Sequence, residues 1–391
     1  MGVTSRLYYT DSYLSQFEAA LVSVSADGLE VELDRTAFYP TSGGQLFDLG
    51  SLNSIPVIEV SETEDGLILH RLASPLPPGP VLGRIDYARR FDFMQQHSGQ
   101  HLLSAIFESM FGFKTVGVHM GETSSTVDLG TGSIRREQMI AAESRVNEVV
   151  FENRPISIGF KDATQAEGLR KATDRTGQLR IVTIEGCDRS ACGGTHVRST
   201  GEIGPVLLRR QDKIRGNVRI EFLCGLRAVR RARQDYDTLD ATARIFNSQL
   251  DDVPALAASS FEQAREAEKS RKKLALELAQ LRGRQLWEAQ PASASGRRVY
   301  IDAHPSGPLD DETRALALSY TAQPGAVFVA SSPDPPTLLL AVSEDTGIHA
   351  GNLLKPLLAE LGGRGGGNAR TAQGSLPSPE AVGALIKLLN L

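Results

Sequence analysis

The sequence predicts an α+β protein with a small N-terminal β-barrel, a mixed α+β unit, a helical spacer and a C-terminal α/β domain. Three observations carry this. Short apolar runs broken by turn residues fill the first ninety positions, the periodicity turns helical near Phe91, and strand-like and helical stretches alternate beyond residue 296. At 391 residues the chain exceeds what one ordinary core holds, so several domains are expected.

In chain order, residues 1–90 read as the barrel, because the runs 21–24, 29–33, 56–60 and 67–72 are separated by Asp, Gly, Ser and Asn. Residues 91–226 form the second unit, entered through a helix on which Phe93, His97, His101 and Ser104 fall at roughly helical spacing. Residues 227–290 are rich in Ala, Glu, Lys, Arg and Leu, with a break expected at Val253 and Pro254 because proline lacks the helical N–H. Beyond that break Ala264, Ala267, Leu274, Leu278 and Leu281 make a narrow apolar stripe, fit either for a rigid spacer or dimer seam or for a helix lying on a neighbouring domain. After a linker at 291–296, strand-like runs at 299–303, 326–330 and 338–342 alternate with helical stretches at 310–320, 350–361 and 379–389, giving an α/β domain at 297–391.

A hydrophobic fraction of 41% and a charged fraction of 23% fit a globular chain in water. No apolar stretch reaches the length of a membrane span, and the first thirteen residues, which mix Arg6, Tyr8, Tyr9 and Asp11, form no export signal. A cytoplasmic location without a membrane partner is expected. The odd set Cys187, Cys192 and Cys224 argues against a disulfide framework. The net charge of −5 does not by itself suggest a polyanionic partner, yet residues 198–233 hold ten basic residues against three acidic ones, a local balance of +7. Such a window fits a nucleic-acid contact and a solvated face equally well.

The chemistry concentrates in two distant segments. His97 and His101, four apart on a helix, share one face with their Cβ atoms about 6 Å apart. Far downstream, Cys192-Gly193-Gly194-Thr195-His196 offers a thiolate and a third imidazole, with glycines that let the backbone bend around an ion. Either half alone is a weak signal; together they make a three-nitrogen, one-sulfur set suited to one tetrahedral zinc ion per chain. Cys187 is a competing ligand on spacing, but its neighbours Asp188 and Arg189 read as an exposed turn.

At these residues the chain resembles the editing domain of alanyl-tRNA synthetase and its freestanding relatives, the alanyl-tRNA editing proteins of the long form. The segment Thr36-Ala37-Phe38-Tyr39-Pro40-Thr41-Ser42-Gly43-Gly44-Gln45 resembles that family's glycine-containing segment, and Asp86-Tyr87-Ala88-Arg89-Arg90 its lead-in to the histidine helix. Gly362-Gly363-Arg364-Gly365-Gly366-Gly367-Asn368 resembles the glycine-rich loop of the C-terminal domain of the same synthetases.

The resemblance implies a zinc-dependent hydrolase that deacylates alanine tRNA mischarged with serine, and with glycine as a further candidate. His97, His101, Cys192 and His196 would hold zinc, which would position the aminoacyl end or activate water. Thr36 and Gln45 would line the pocket and recognise the serine hydroxyl, since an apolar pocket rejects an added hydroxyl poorly. Backbone amides at Gly43 and Gly44 would serve the oxyanion or the terminal adenosine, although a plain Gly-Gly hairpin turn explains them as well. Arg364 and Arg370 would meet tRNA phosphates, and the C-terminal region would pair two copies in a homodimer. With the barrel beginning by about Leu21, no aminoacylation domain is expected ahead of it. Two rival readings are a non-catalytic tRNA-binding protein with structural zinc and a metallohydrolase for another small ester.

Overall fold

The computed structural model describes residues 4–173 and 176–391 and divides into two compact units, one ending at Thr242 and one running Ala243–Leu391. The first opens with a seven-stranded antiparallel sheet in the spatial order Gln16–Ala19, Val81–Ile85, Gly50–Leu52, Ile55–Glu62, Ile68–Leu72, Glu30–Leu33, Leu21–Val24. It curls into a barrel-like layer. Its inward residues, among them Phe17, Val31, Leu33, Leu52, Val57, Ile68 and Val81, fill one core, and buried and solvated positions alternate along Val81–Ile85 as a half-buried strand requires. The three strands 16–19, 50–52 and 81–85 lack a strong apolar run, and their pairing comes from the sheet around them.

Helix α1 (Tyr87–Phe111) follows. Asp86 caps it by accepting from the Arg89 amide at 3.1 Å, and Gly112, in the left-handed region at φ 72°, ends it. Its apolar face, with Met94, Leu102, Leu103, Ile106 and Phe107, meets Val146 and Val149 of α2 (Arg136–Phe151) and Val127, Ile220 and Phe222 of a four-stranded antiparallel sheet. A further sheet of three strands, Ile156–Asp162, Gln178–Ile184 and Asp188–Ala191, closes this core.

One buried ion pair joins the histidine helix to the barrel. Arg90 and Asp48 are each 1% exposed. Arg90 donates from Nε to both Asp48 oxygens at 3.0 and 3.1 Å and from Nη2 to Oδ2, and it also donates to the carbonyls of Ser12 (2.8 Å) and Ala37 (2.6 Å). Asp48 in turn accepts from the Tyr39 amide at 2.6 Å. All three guanidinium nitrogens and both carboxylate oxygens are thereby engaged.

Part of the basic window is neutralised by carboxylates outside it. Arg219 pairs with Asp128, Arg227 with Asp92, Arg209 and Arg231 with Asp235. Helix α3 (Leu226–Phe246) is followed by a short 3₁₀ turn at Leu250–Asp252 and then by α4 (Val253–Ala289). Pro254 therefore sits in the first turn of α4, where its missing N–H has no helical acceptor to lose, and the break lies ahead of it. Leu274, Leu278 and Leu281 are exposed, whereas α4 packs on α5 (Asp311–Thr321) through the adjoining face around Ala279 and Gly283.

The second unit contains a five-stranded sheet in the order Arg298–Ala303, Ala326–Pro333, Pro336–Val342, Thr371–Ser375, Arg364–Gly367. The strands and helices lie near the expected positions, but two hairpins interrupt their alternation, and only the first pair of strands is parallel. Helices α6 (Ala350–Glu360) and α7 (Pro379–Leu388) cover its core. The expected glycine-rich loop is in fact a strand. Residues Arg364–Gly367 pair with Thr371–Ser375 under α6, so closely that a Cβ on Gly365 or Gly374 would stand 2.7 or 2.2 Å from the Leu358 side chain. No helix among the described residues is long and apolar enough to cross a membrane.

Candidate metal centre and adjoining cleft

Helix α1 holds the His97 and His101 rings one turn apart, with centroids 5.3 Å from each other. The other half of the centre follows the strand Asp188–Ala191. Alternation along that extended segment puts Asp188, Ser190 and Cys192 on one side, toward α1, and the glycine pair then turns the chain so that His196 faces back. Its ring centroid lies 4.4 Å from that of His97 and 4.8 Å from that of His101. Cys192 Sγ stands 3.4 Å from His97 Nε2 and 3.3 Å from His196 Nε2, and the four candidate ligand atoms lie within 4.8 Å of one another. A tetrahedral zinc site with ordinary bond lengths needs ligand-to-ligand separations of about 3.3–3.6 Å. The donor set fits a metal ion, and its mixed nitrogen and sulfur chemistry fits zinc.

Each imidazole is tied from behind. His97 Nδ1 donates to Gln45 Oε1 at 2.8 Å, His101 Nδ1 to Asp188 Oδ2 at 2.7 Å, and His196 Nδ1 meets Ser98 Oγ at 3.1 Å. These partners leave the Nε2 lone pairs turned inward, the arrangement that fixes tautomer and ring orientation in metal sites. Asp188 is thus no exposed turn. It is buried by the sheet and also accepts from Arg170 Nε at 2.7 Å and Ser190 Oγ at 3.0 Å. Cys187, one residue away, lies outside the ligand cluster.

Charge favours ligation as well. Burial opposes a thiolate at Cys192, but the three surrounding imidazoles overcome it and hold the thiol well below its ordinary range. Burial and His97 push His196 down to about 3, so that ring is neutral. His101 differs: against burial, its hydrogen bonds with Asp188 and Cys192 raise it to about 9, so a divalent cation must displace a proton there to obtain the neutral imidazole that ligation requires.

A cleft of about 750 Å³ opens beside His97, His101 and Cys192 and is bordered further by Tyr8, Tyr39 and Gly43. Gly43 belongs to a tight turn in which the Ser42 and Gln45 backbones bond each other, with φ 57° at Gly43 and 86° at Gly44; only glycine takes two such angles in succession at no cost. Gly43 borders the cleft, while the Gly44 carbonyl accepts from the Met120 amide and ties the turn to the neighbouring sheet.

Gln45 and Thr36 are fully buried and are not among the residues bordering the cleft. Gln45 bridges both halves of the ligand set, since its side-chain nitrogen donates to Thr195 Oγ1 at 2.9 Å while its oxygen receives His97. Thr36 bonds His70 Nε2 at 2.8 Å. Burial lowers His70 to about 4, and its Nδ1 lies 3.3 Å from the Val31 carbonyl, which can only accept; Nε2 is therefore the acceptor for the Thr36 hydroxyl. In the second unit Arg364 and Arg370 are both exposed, Arg364 on the edge strand and Arg370 with its guanidinium also donating to the carbonyls of Val342 and Thr321. Asp188, Arg170, Ser98 and Tyr8 carry no motif that marks them in the sequence; the alternation Asp188, Ser190, Cys192 is the one signal that points to the first.

Gly194 offers a sharp check on this packing. A Cβ there would lie 2.1 Å from His97 Cε1. Gly194→Ala is expected to displace the ring and weaken metal binding at least about tenfold, as other disruptions of ligand support do. Competition with a chelating dye measures it, and unchanged affinity would mean that the ring is not a ligand.

Residues 179–221 match the family described as Threonyl and Alanyl tRNA synthetase second additional domain, and residues 312–391 match the DHHA1 domain. The chain is 33% identical to an alanine–tRNA ligase of Korarchaeum cryptofilum over 99% of its own length and 45% of that protein. It spans less than half the length of the alanine–tRNA ligases it matches. It is 29% identical to the alanyl-tRNA editing protein AlaX-L of Pyrococcus horikoshii, over 97% of this chain and 96% of that one. With the alanyl-tRNA editing protein Aarsd1 of Mus musculus the identity is 32%, over 62% of this chain and 64% of that one.

Proposed function

Because the chain is a homologue of the alanyl-tRNA editing proteins, we propose that it hydrolyses the ester of alanine tRNA mischarged with serine, and of the same tRNA charged with glycine. The observation that carries this reading is the convergence of His97, His101, Cys192 and His196 beside a cleft that the first three border. An aminoacyl ester is already activated, so the chief tasks are to hold the carbonyl, admit water and stabilise the developing oxyanion. Zinc, when bound by those four side chains, supplies a Lewis-acid centre beside that cleft. Gln45, Asp188 and Ser98 keep the imidazoles aimed, as positioning residues. The turn amide at Gly43 is the candidate donor to the oxyanion or to the terminal adenosine, and Thr36 supports the segment through His70.

The tRNA contacts proposed for Arg364, and the pairing of two copies through the C-terminal region, belong to the same reading. The exposed stripe Leu274, Leu278 and Leu281 on α4, ahead of that region, is a separate candidate for a dimer seam. One observation favours a rival in which zinc is structural and the protein binds tRNA without turnover: four protein donors fill a tetrahedral shell.

A single experiment separates them. Alanine tRNA carrying serine, glycine or alanine is incubated with the zinc-loaded protein and with protein stripped by a chelator. Fast loss of serine, slower or equal loss of glycine and sparing of alanine, all abolished by stripping and restored by zinc, are expected. Tight binding without hydrolysis would establish the rival.

A further inference from the structure

One residue bordering the cleft, Tyr8, carries a buried hydroxyl with no hydrogen-bond partner among the described residues. The pairing of Ser5–Arg6 with Arg35–Thr36 carries the short turn Leu7–Tyr9 to the cleft, and Tyr8 there is 1% exposed. Its ring stands edge-on to Tyr9 and Tyr39, at 5.1 and 5.3 Å between centroids. Of the buried side-chain polar atoms that lack a hydrogen-bond partner among the described residues, Tyr8 Oη alone belongs to a residue bordering the cleft. Arg6 is the nearest cation and interacts with the Tyr8 phenol, but its hydrogen bonds of ordinary geometry go to Glu62 at 2.6 Å, the Gly66 carbonyl at 3.0 Å and Tyr9 Oη at 3.0 Å, and none reaches Tyr8 Oη. A buried hydroxyl without a partner is costly, and a fold retains one where something else completes it. Burial raises the Tyr8 phenol above its ordinary value and Arg6 draws it back only in part, so the group stays neutral and can both donate and accept.

We infer that Tyr8 is a substrate-binding residue of this cleft, its hydroxyl pairing with a hydroxyl carried by the 3′ end of an aminoacyl-tRNA; the identity of that substrate rests on the reading above. Two hydroxyls have this chemistry, the serine side chain and the terminal ribose. Thr36, the residue expected to recognise serine, already gives its proton to His70.

The test uses the full zinc-loaded chain and its Tyr8→Phe variant, which removes one oxygen. Calorimetry measures binding of two non-hydrolysable probes, adenosine with seryl or glycyl amide-linked at the 3′ position, alongside deacylation of the corresponding tRNAs. The variant is expected to unfold at the same denaturant concentration as the parent or a higher one, and to bind about tenfold more weakly, the loss of one neutral hydrogen bond. Loss confined to the seryl probe assigns the side chain; equal loss for both assigns the ribose. Binding of both probes within twofold of the parent overturns the inference, as does a variant markedly less stable than the parent, which would mean that the hydroxyl is already paired inside the protein. If the parent binds the probes and the variant does not, yet neither hydrolyses tRNA, the hydrolase reading falls and Tyr8 as a binding residue stands. If the parent binds neither probe, both fall.

Discussion

His101→Ala is expected to remove all measurable metal-dependent deacylation while tRNA binding survives and weakens with salt as before. The ring supplies one of four donors and has no substitute nearby, since Asp188, its partner at 2.7 Å, lies behind it. Asp188→Asn gives the graded companion. It preserves shape but turns a carboxylate that serves both His101 and Arg170 into a group with one acceptor oxygen, so metal affinity should fall roughly 10- to 100-fold. Metal content after dialysis against a chelator and first-order deacylation rates measure the two variants. Retained hydrolysis in His101→Ala at parental zinc content would contradict a working metal at this site.

The second large effect is on stability. Arg90→Met leaves Asp48 charged, 1% exposed and stripped of its partner. Breaking a buried pair in this way costs roughly 3–5 kcal/mol. Replacing both, Arg90→Met with Asp48→Leu, should recover much of that loss, because no buried charge remains to be desolvated. Circular dichroism during urea unfolding follows both units together, and the fluorescence of the single tryptophan, Trp287, isolates the second, so the transition that fluorescence does not share belongs to the first. A single variant as stable as the parent would show that water reaches Asp48.

Much of the fold and of the metal centre is legible in the residues. His-x-x-x-His and Cys-x-x-x-His reinforce each other in a chain with 7 histidines and 3 cysteines, so the four candidate ligands stand out in the sequence itself, and the helix joining the first pair follows from local periodicity. Strands with continuous apolar runs, such as 326–330 in Ala326–Pro333 and 338–342 in Pro336–Val342, are equally plain. What stays hidden depends on contacts distant in sequence. Asp188 is 87 residues from the ring it orients, and its polar neighbours disguise a buried strand as a turn. The hydroxyl of Thr36 looks available in the sequence, yet His70, 34 residues on, takes its proton. The carboxylates that neutralise Arg209, Arg219 and Arg227 lie outside the basic window at 198–233.

The amide of Gln45 has a consequence beyond orientation. One planar group grips His97 on the helix and Thr195 in the segment between the other two donors, and its own backbone is held by the turn below. The two halves of the coordination shell are thereby kept in register by the polypeptide itself, so an arriving ion meets a preorganised cage and little of its binding energy goes into ordering the chain.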